Sequence, residues 1–571
     1  MKILLTAINA KFIHSNLAVY SLKSYAQSYL GSKSESETGT TISLAEYTIN
    51  QQTDDILMDL YKKHPDILCF SCYIWNISHV EAIVREIKKI LPQTEIWLGG
   101  PEVSYDSEDI LRRLPEVKGV MKGEGEETFA MLADGTELTD LAGITYRDSE
   151  GMIHANPWRD VMDLDKVPFI YEDMTDFEHK IIYYESSRGC PFSCSYCLSS
   201  VDKKLRFRSL DKVKKELQFF IDHKVPQVKF VDRTFNCSHE HAQEIWKYLI
   251  EHDNGVTNFH FEVSADLLNA EEIALIRSMR PGLIQLEIGV QSTNPDTVKE
   301  IHRTMKFEKV AANVRAVKEQ GNVHQHLDLI AGLPYEDMES FRKSFNDVCE
   351  LRPEQLQLGF LKVLKGSFMN ENKDAYGLAY KNTPPYEVLY TKWLSYADVL
   401  RLKGVEEMVE VYYNSGQFSK TLPELEKRFE DCFGMYDALA SYYEQNGYHL
   451  VNHTRAARYE ILLSFVKENM PECEQKIREL LTYDYYLREN AKNRPDFAGE
   501  YRIDKKELRE FYEAEAASQT YLTGYENYDK NQLRRMTHLE RFETLGETVL
   551  FDYRKRNPLT REAMTMVIEK Q

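Results

Sequence analysis

Short apolar runs alternate with amphipathic stretches along residues 1–135. Candidate strands are KILLTAI (2–8), TISLAEY (41–47), ILCFSCY (67–73), EIWLGG (95–100) and KGVMKG (118–123). The intervening stretch HVEAIVREIKKIL (79–91) has the apolar spacing of an amphipathic helix. Alternating strands and helices predict a parallel sheet that is covered on both faces. Because ligands of such sheets bind beyond the carboxyl ends of the strands, we expect a site at that edge.

A second strand–helix series follows a predicted hairpin, whose turn is Asp148–Gly151. Its six candidate strands are IIYYES (181–186), VKFV (228–231), FHFEV (259–263), LIQLEIG (283–289), QHLDLIAG (325–332) and QLQLGF (355–360). Six such units predict a partial β/α barrel with its chemistry at the carboxyl ends of the strands. After about residue 366 the pattern changes to long, tyrosine-rich helical stretches.

These patterns predict an α/β protein in four segments. They are a flavodoxin- or Rossmann-like parallel-sheet domain (1–142), a hairpin and linker (143–178), a partial (β/α)6 TIM-type barrel (179–365) and a mostly helical domain (366–571). A chain of 571 residues is too long for one hydrophobic core, which agrees with this division.

Charge and cysteine content exclude several classes of protein. The formal net charge of −20 disfavours nucleic acid and anionic membranes as partners. No stretch approaches the about 20 apolar residues of a membrane span, and the first apolar run has the pattern of a buried strand instead of a signal peptide. Nine cysteines are too few for a disulfide scaffold. We therefore expect a cytoplasmic protein in a reducing compartment.

Three of the cysteines form a compact motif directly after the first predicted barrel strand. Cys190, Cys194 and Cys197 have the spacing Cys-x3-Cys-x2-Cys within ESSRGCPFSCSYC. Three thiolates on a 4Fe-4S cube leave one iron open for another ligand. A structural zinc site is the alternative, but it needs a fourth ligand, and the nearest histidines are distant in sequence.

Further motifs follow the barrel strands. VDRTFN (231–236) comes after the second strand, EIGVQS (287–292) lies on the fourth, IHR (301–303) is on the next helix, and DLIAGLP (328–334) closes the fifth strand. Together with the cysteine triplet, these motifs resemble the radical S-adenosylmethionine (SAM) superfamily. The resemblance implies that the open iron chelates the amine and carboxylate of SAM, which one electron cleaves to methionine and a 5′-deoxyadenosyl radical.

The same resemblance implies eight SAM contacts: Tyr196, Asp232, Glu287, Gln291, Arg303, Leu329, Ile330 and Gly332. Tyr196 and the strand from Leu329 to Gly332 would flank the adenine. Glu287 and Gln291 would lie near the ribose. Arg303 would pair with the SAM carboxylate and Asp232 would lie near its amine. Alternatively, acidic residues at strand ends cap helices, and Arg303 is a solvated helix residue.

Three loops at the carboxyl ends of the first sheet carry the residues of a second cofactor site. They contribute Ser71 and Tyr73, then Gly99, Gly100, Pro101 and Glu102, and then Gly123, Glu124, Gly125 and Glu126. Glycine lets a flat corrin approach the backbone closely. The combination with the barrel resembles the cobalamin (B12)-binding radical SAM enzymes. A nucleotide-binding or purely structural domain is the alternative, although the Gly-x-Gly-x-x-Gly fingerprint is missing.

His14 lies where cobalamin-binding mutases and methyltransferases place Asp-x-His-x-x-Gly, whose histidine ligates cobalt. Here Phe12 replaces the aspartate and Leu17 replaces the glycine. Without the aspartate that orients the imidazole, ligation is disfavoured. We interpret His14 as a hydrogen-bonding loop residue near the corrin.

Other cysteines and tyrosines have simpler interpretations. Cys69 and Cys72 are three residues apart in a strand, so they point to opposite faces and cannot share a metal. For Cys237 with His239 and His241, a helix start capped by Ser238 is favoured over a metal site. The region after residue 366 resembles the uncharacterised, DUF4080-like helical extension of one branch of these proteins. It should cover the open side of the barrel and complete a substrate pocket. Tyr412, Tyr413 and Asn414 are interpreted as part of its core.

The combined pattern predicts a cobalamin-dependent radical SAM enzyme with a 4Fe-4S cluster, SAM and cobalamin, most simply a methyltransferase acting on an unactivated carbon. A cobalamin-assisted rearrangement or cyclisation is the alternative enzyme, and a non-catalytic cobalamin and iron–sulfur sensor is the alternative of another class. The expected partners are an electron donor such as flavodoxin or ferredoxin and a small-molecule, lipid-precursor or peptide substrate. The catalytic acid–base residues and the substrate itself are not readable from the sequence.

Overall fold

The first part of the chain forms a seven-stranded sheet in the order β2-β1-β3-β4-β5-β6-β7. In this computed structural model, which describes residues 1–32, 39–201 and 203–568, the strands are β1 (Lys2–Asn9), β2 (Thr41–Thr48), β3 (Ile67–Ser71), β4 (Glu95–Gly99), β5 (Gly119–Met121), β6 (Ile144–Arg147) and β7 (Ile153–Ala155). The helices are α1 (Leu17–Ser32), α2 (Thr53–Lys63), α3 (Ile77–Ile90), α4 (Pro101–Ser104), α5 (Ser107–Arg113) and α6 (Glu126–Ala133).

The sheet has a hydrophobic core on each face, as predicted. Strands β1 to β5 are parallel. Along β1, Leu4 and Ile8 belong to one core, while Leu5 and Ala7 belong to the other. The predicted hairpin is β6 and β7, and it extends this sheet in the antiparallel sense. The sheet therefore continues past the expected boundary at residue 142.

The second part is an open six-stranded parallel sheet in the order β15-β14-β13-β12-β11-β8. The strands here are β8 (Ile182–Tyr184), β9 (Ser187–Arg188), β10 (Arg206–Phe207), β11 (Gln227–Phe230), β12 (Asn258–Val263), β13 (Ile284–Gln291), β14 (His324–Ala331) and β15 (Gln355–Phe360), of which β9 and β10 pair only with each other. The helices are α7 (Leu210–Asp222), α8 (His239–Glu251), α9 (Ala270–Ser278), α10 (Pro295–Glu300), α11 (Phe307–Lys318) and α12 (Met338–Cys349). This is the predicted partial barrel.

The third part is mostly helical but ends in a sheet that the sequence analysis missed. Its helices are α13 (Phe368–Glu371), α14 (Tyr396–Met408), which continues as a π-helix over Val409–Asn414, α15 (Thr421–Glu426), α16 (Cys432–Gln445), α17 (Arg455–Asn469), α18 (Glu474–Arg488), α19 (Lys505–Ser518) and α20 (Lys530–Met536). Its strands are β16 (Ala379–Tyr380), β17 (Val388–Tyr390) and the antiparallel β18 (Thr537–Phe542), β19 (Glu547–Arg556) and β20 (Ala563–Ile568).

Neighbouring segments cover both open edges of the barrel. At the β8 edge, the loop after β1 forms a bridge between His14 and Ile181. At the β15 edge, the Asn414 side chain accepts from the Leu356 amide at 2.9 Å and donates to the Leu356 carbonyl at 2.8 Å. A disulfide between Cys349 and Cys432 joins α12 to α16.

The simpler interpretations of the other cysteines and tyrosines agree with the structure. Cys69 and Cys72 are buried in the two opposite cores of the first sheet. Ser238 caps α8 by accepting from the His241 amide. Tyr412 is fully buried in the core. Among the described helices, none is both long and apolar enough to cross a membrane.

Candidate functional site

The three cysteines lie on one loop that begins directly after β9. Cys190 and Cys194 are buried, Cys197 is partly exposed, and all three are free thiols. Gly189 opens the loop with a φ of +90°, and a Cβ atom there would lie 2.7 Å from the carbonyl oxygen of Lys204. Only glycine fits this turn, which directs the chain into the motif.

The sulfur atoms of this triplet suit a cluster better than a single zinc ion. The loop supplies three thiols and, by sequence, no histidine close to them that could be the fourth ligand of a closed zinc site. Tetrahedral zinc with Zn–S bonds of about 2.3 Å would hold its sulfur ligands about 3.8 Å apart. Thiolates on a cube bind different irons and are therefore farther apart. The donor set fits the predicted 4Fe-4S cluster.

Arg303 and Tyr196 contact the cysteine loop. Arg303 Nη1 lies 3.8 Å from Cys194 Sγ and 3.3 Å from Tyr196 Oη, while its Nη2 atom donates to the carbonyl of Gly289. Burial lowers the pKa of Arg303, but Tyr196 and Cys194 outweigh that effect and raise it. The guanidinium is therefore a fixed charge beside the cluster loop, and it is not that of a solvated helix residue.

Two buried polar atoms beside this loop lack partners. Gln291 Oε1 and Arg303 Nε have no hydrogen bond within the described chain. Gly289 lies between the two side chains, because a Cβ atom there would be 2.3 Å from Gln291 Nε2 and 3.6 Å from Arg303 Nη2. A polar ligand such as SAM would satisfy both orphaned atoms, so these residues fit the predicted cofactor.

Asp232 holds the strand end that leads into the cysteine loop. Its Oδ1 accepts from the Ser186 amide at 2.9 Å, and its Oδ2 accepts from the hydroxyls of Ser186 and Ser187, each at 2.6 Å. The carboxyl is fully buried, and burial raises its pKa to about 6. Because both oxygens already have partners within the chain, the structure places Asp232 as a support of the loop, and its contact with the amine of SAM stays a prediction.

Glu287 lies deeper in the barrel than Gln291. It precedes Gln291 by four residues on β13, which corresponds to roughly 13 Å along a strand. Its Oε2 atom is 3.0 Å from Lys229 Nζ and 3.0 Å from His260 Nε2. Burial would raise the pKa of Glu287, but His260 and Lys229 together lower it to about 2. The structure therefore pairs Glu287 with Lys229 and His260 inside the barrel, and its contact with the ribose of SAM stays a prediction.

The predicted adenine contacts on β14 differ from one another. Leu329 is fully buried in the core, whereas Ile330, the next residue, is partly exposed. Since adjacent side chains of a strand face opposite sides, only one of the two can face the barrel interior. Gly332 packs against the C-terminal region, because a Cβ atom there would lie 2.8 Å from Val388. Of this strand, only Ile330 presents a side chain suited to an adenine.

The sequence analysis missed Glu262 on β12, the register partner of Glu287. Burial raises the pKa of this carboxyl to about 7, although Arg233 opposes the shift. Because residues two apart on a strand face the same side, the spacing of His260 and Glu262 is the sequence signal that would have identified Glu262.

A cavity of about 780 Å³ separates the carboxyl edge of the first sheet from the cysteine loop. Ten of the predicted cobalamin residues line it: His14, Ser71, Tyr73, Gly99, Gly100, Pro101, Gly123, Glu124, Gly125 and Glu126. From the barrel side, Gly189, Leu198 and Tyr183 line it as well. The cavity therefore reaches residues that flank the cysteine motif in sequence, while the three cysteines and the eight predicted SAM contacts are not among its lining residues. The missed Trp75 also lines it and stacks on Tyr73, with ring centroids 4.4 Å apart.

The glycines of this edge are required by the chain's own packing. Gly100 has a φ of +110°, and a Cβ atom there would lie 2.5 Å from the Cys72 carbonyl oxygen. A Cβ atom on Gly125 would lie 2.9 Å from Leu22. Close approach of a corrin is thus not the only reason for these glycines, because the backbone of Cys72 already requires glycine at position 100, whereas the flexible end of Leu22 can move away from position 125.

Glu102 is the one predicted cobalamin residue that does not line the cavity. Its carboxylate accepts from the Tyr386 hydroxyl and lies 3.3 Å from Lys365 Nζ. Burial raises its pKa despite these partners. The structure corrects this assignment, since Glu102 links the first sheet to the segment after the barrel.

Glu124 and Glu126 connect the first sheet to the barrel. Arg188 Nη2 donates to Glu126 Oε1 at 2.8 Å and to Glu185 Oε2 at 2.7 Å. Arg206 Nη1 lies 2.7 Å from Glu124 Oε1. The sequence analysis missed both arginines, although Arg188 directly precedes the glycine of the cysteine motif. This buried ionic group fixes the cysteine loop against the third loop of the first sheet.

His14 makes the hydrogen bond expected of a loop residue. Its Nδ1 atom lies 2.6 Å from the Tyr183 hydroxyl on β8. Burial lowers its pKa, and Lys11 and Lys229 lower it further, so the imidazole is neutral at neutral pH. The structure thus supplies a partner for the imidazole in place of the missing aspartate.

Comparison with known families divides the chain in the same way. Residues 5–133 match the B12 binding domain, residues 184–348 match the radical SAM superfamily, and residues 374–559 match a protein family of unknown function, DUF4080. The matches follow the chain order of the three structural parts.

Among curated proteins, the chain resembles two methyltransferases. It is 24% identical over 411 residues to the 2-(S-pantetheinyl)-carbapenam-3-carboxylate methyltransferase of Streptantibioticus cattleyicolor, covering 66% of this chain and 56% of that protein. It is 26% identical over 343 residues to the cobalamin-dependent radical SAM methyltransferase TokK of Streptomyces tokunonensis, covering 55% of this chain and 50% of that protein. The chain thus spans about half the length of these relatives.

Among solved structures, the chain resembles the cobalamin-dependent SAM radical enzyme OxsB with aqua-cobalamin and SAM bound. The TM-score is 0.58 at 16% identity, covering 85% of this chain and 78% of that one. This similarity supports the fold of the first two parts and their arrangement. With a B12 binding domain, a radical SAM domain and a DUF4080 region in that order, the chain belongs to the cobalamin-binding radical SAM proteins.

Proposed function

We propose that this protein is a cobalamin-dependent radical SAM methyltransferase that adds a methyl group to an unactivated carbon. In this proposal, residues 1–142 bind cobalamin, residues 179–365 bind the 4Fe-4S cluster and SAM, and residues 366–571 complete the substrate pocket. Residues 143–178 connect the first two parts. The observation that carries the proposal is the cavity at the carboxyl edge of the first sheet. Ten predicted cobalamin residues line it together with Gly189 and Leu198, which are the sequence neighbours of Cys190 and Cys197.

Each group of residues has a distinct task in this proposal. Cys190, Cys194 and Cys197 hold the cluster by three irons. Arg303 and Gln291 orient SAM, because each has a buried polar atom without a partner beside the cysteine loop. When bound, the cluster with SAM supplies radical chemistry and cobalamin supplies the methyl group. The loops of the first sheet and the stacked Tyr73 and Trp75 shape the cobalamin cavity and exclude water from it.

The overall reaction converts a C–H bond of the substrate to a C–CH3 bond. One SAM donates the methyl group and leaves as S-adenosylhomocysteine. A second SAM takes the hydrogen atom and leaves as methionine and 5′-deoxyadenosine. The balance requires electrons, so a reductant such as a flavodoxin or ferredoxin completes the reaction. Such electron donors suit the cytoplasm.

Product analysis of the anaerobically reconstituted protein tests the proposal. Extracts of the deletion strain supply the substrate, and dithionite supplies electrons. We expect S-adenosylhomocysteine and 5′-deoxyadenosine together, and neither with Cys194→Ala. Formation of 5′-deoxyadenosine alone would favour the rearrangement. Absence of SAM cleavage from the wild-type protein would contradict an enzyme and favour the sensor.

A further inference from the structure

One positively charged side chain of the cavity has no partner within the part of the chain that the structure describes. Arg233 follows β11 on the loop at the carboxyl end of that strand, and it lines the cavity of about 780 Å³. Its side chain is exposed and forms no hydrogen bond or ion pair with any described residue. A guanidinium carries five N–H donors in a fixed plane, and all of those of Arg233 are therefore available to a ligand.

The other arginines and glutamates that line the cavity are already paired. Each of them has an opposite charge within 3.2 Å, in the groups Arg188–Glu126–Glu185, Arg206–Glu124 and Arg208–Glu216. The imidazole of His14, which also lines the cavity, is neutral. Arg233 is therefore the one charge among the described lining residues that these pairs leave without a counter-charge.

The two carboxyl groups nearest to Arg233 in the fold do not neutralise it. Asp232, its neighbour in the chain, gives both oxygens to Ser186 and Ser187. Glu262 on β12 is close enough for the charge of Arg233 to act on its pKa, but it forms no ion pair with Arg233. Burial raises that pKa to about 7, so the Glu262 carboxyl is only partly ionised at neutral pH.

An unpaired guanidinium in this place requires an anion once the cavity is filled. With cobalamin bound, water leaves the cavity, and a charge without a partner loses its hydration at a cost in free energy. The amide side chains of a corrin are neutral and do not replace the missing charge. A carboxylate or a phosphate does so, because it accepts two parallel N–H···O bonds from one guanidinium.

The position of Arg233 favours the substrate as the source of this anion. Through Asp232, its chain neighbour, the loop of Arg233 is bonded to Ser186 and Ser187, which directly precede the cysteine motif. On the other side it lies near Tyr73 of the first sheet, because the charge of Arg233 opposes the rise that burial causes in the pKa of Tyr73. In the proposed function, the molecule that is methylated lies between these two parts of the protein.

We propose that Arg233 binds an anionic group of the substrate, so that the methylated molecule carries a carboxylate or a phosphate. This inference rests on the proposed function, because it names the chemical class of the molecule that is methylated. The phosphodiester of the cobalamin tail and the carboxylate of SAM are oxyanions from two other sources, and the second test distinguishes them from the substrate.

The first test measures the charge of the methylated molecule. Extracts of anaerobic deletion strains that carry either the wild-type protein or Cys194→Ala are passed over a strong anion exchanger at neutral pH and analysed by mass spectrometry. We expect a pair of species that differ by one CH2 group, both retained by the resin, with the heavier one only in the wild-type strain. A pair in the unretained fraction would overturn the inference and leave the methyltransferase proposal intact. No pair in either fraction would contradict the proposed function itself, and the inference with it.

The second test compares Arg233→Met, which removes the charge, with Arg233→Lys, which keeps it. Each purified protein is reconstituted and supplied with limiting amounts of extract from the deletion strain. We expect Arg233→Met to form at least about tenfold less of the methylated species, since one partner of a desolvated charge pair is lost. Arg233→Lys should lose less, and additional extract should restore part of the yield of Arg233→Met. Arg112→Met is the matched control, because Arg112 is an exposed arginine that does not line the cavity, and its yield should equal that of the wild type.

Cofactor measurements on the same proteins identify the source of the anion. We expect Arg233→Met to retain the melting temperature, the iron and cobalamin content and the SAM affinity of the wild type, the last by equilibrium dialysis. Loss of cobalamin would assign Arg233 to the phosphodiester of the cofactor, and weaker SAM binding would assign it to the SAM carboxylate. Either result, or a wild-type yield of methylated species from Arg233→Met, would overturn the assignment to the substrate.

Discussion

At the scale of single residues, His14 has the contact of a loop residue. Tyr183 occupies its Nδ1 atom at 2.6 Å, and the loop that carries it forms a bridge to the barrel edge. A partner on Nδ1 is also what a ligating histidine has, so the expectation depends on Phe12 and Leu17, which replace the aspartate and glycine of the ligating motif. On that ground we expect the electron paramagnetic resonance spectrum of the cobalt(II) form to be the same in the wild type and in His14→Ala, including any nitrogen hyperfine splitting. Loss of nitrogen splitting in His14→Ala would instead make His14 a ligand.

Tyr183→Phe is the matched control for this measurement. It removes the hydroxyl that His14 contacts and keeps the ring that lines the cavity. If His14 is only a hydrogen-bonding residue, the Tyr183→Phe spectrum is also unchanged. If His14 ligates cobalt, loss of its orienting partner weakens the splitting without abolishing it.

Asp232 gives a prediction about pH. Burial raises its pKa to about 6 in the folded protein, above its ordinary value of about 4. Ionising a carboxyl whose pKa is raised by folding costs stability, so this cost is absent below about pH 4 and complete above about pH 6. Asp232→Asn has no proton to lose there. We expect the melting temperature of the wild type, relative to that of the variant, to fall as the pH rises through this range.

Differential scanning calorimetry of both proteins at several pH values measures this difference. Shifts from other titrating groups cancel in the comparison, because both proteins share them. A difference that does not change with pH would mean that Asp232 stays in one protonation state. The hydrogen bonds from Ser186 and Ser187 would then hold it ionised.

At the scale of elements, the loop after β4 requires glycine for a local reason. An alanine at Gly100 would have an unfavourable φ of +110° and a Cβ atom 2.5 Å from the Cys72 carbonyl oxygen. We expect Gly100→Ala to lower the free energy of unfolding by more than the about 1–3 kcal/mol of backbone strain alone. Urea unfolding monitored by circular dichroism measures the effect.

Gly151→Ala is the control for backbone strain without a collision. Gly151 has a φ of +87°, but a Cβ atom there would have no neighbour within 4 Å. Gly151→Ala should therefore lower the free energy of unfolding by the backbone strain alone. Equal losses in the two variants would contradict the collision with Cys72. The positive φ alone would then explain the glycine at position 100.

The periodicity of apolar residues predicted the helices and strands well, because it depends on which residues of a single segment are buried. It placed β1 to β5, the six barrel strands and the cysteine loop at the carboxyl edge. It could not show that β6 and β7 join the first sheet, because pairing depends on a partner elsewhere in the chain. It also missed β18 to β20, which follow a helical pattern. Pairing partners, unlike strand propensity, are set by tertiary context.

The residues of the candidate site could be predicted where they belong to a recognisable sequence motif. The cysteines and the loops of the first sheet follow recognisable strand ends, so their convergence could be inferred. Glu102 does not line the cavity, because its partner Tyr386, which is distant in sequence, holds it elsewhere. The contact of Glu287 with His260 could not be inferred from the sequence for the same reason. Arg188 was missed for the same reason. Its position before Gly189 is visible, but its bond to Glu126 crosses 62 residues.

At the scale of the whole molecule, Arg188 joins two of the three parts. Its guanidinium contacts Glu126 of the first sheet and Glu185 of the barrel, and Glu126 is almost fully buried. Burial would raise the pKa of Glu126, but Arg188 outweighs this effect and lowers it. Replacing one member of such a pair leaves a buried charge without a partner, which typically costs about 3–5 kcal/mol.

We therefore expect Arg188→Met to destabilise the protein strongly and to release cobalamin, because the unpaired Glu126 lines the cavity. Arg188→Met leaves the carboxylates of both Glu126 and Glu185 without their partner. The double variant Arg188→Met with Glu126→Gln removes the charge of Glu126 but not that of Glu185, so it should recover part of the lost stability. Urea unfolding and cobalamin content after gel filtration measure both effects. The exposed pair Arg112–Glu108 is the control, and Arg112→Met should leave the free energy of unfolding nearly unchanged, because solvent screens exposed ion pairs. If the double variant is no more stable than Arg188→Met, the loss comes from the missing arginine side chain and not from the stranded charge. The ionic group would then not be what holds the two parts in register.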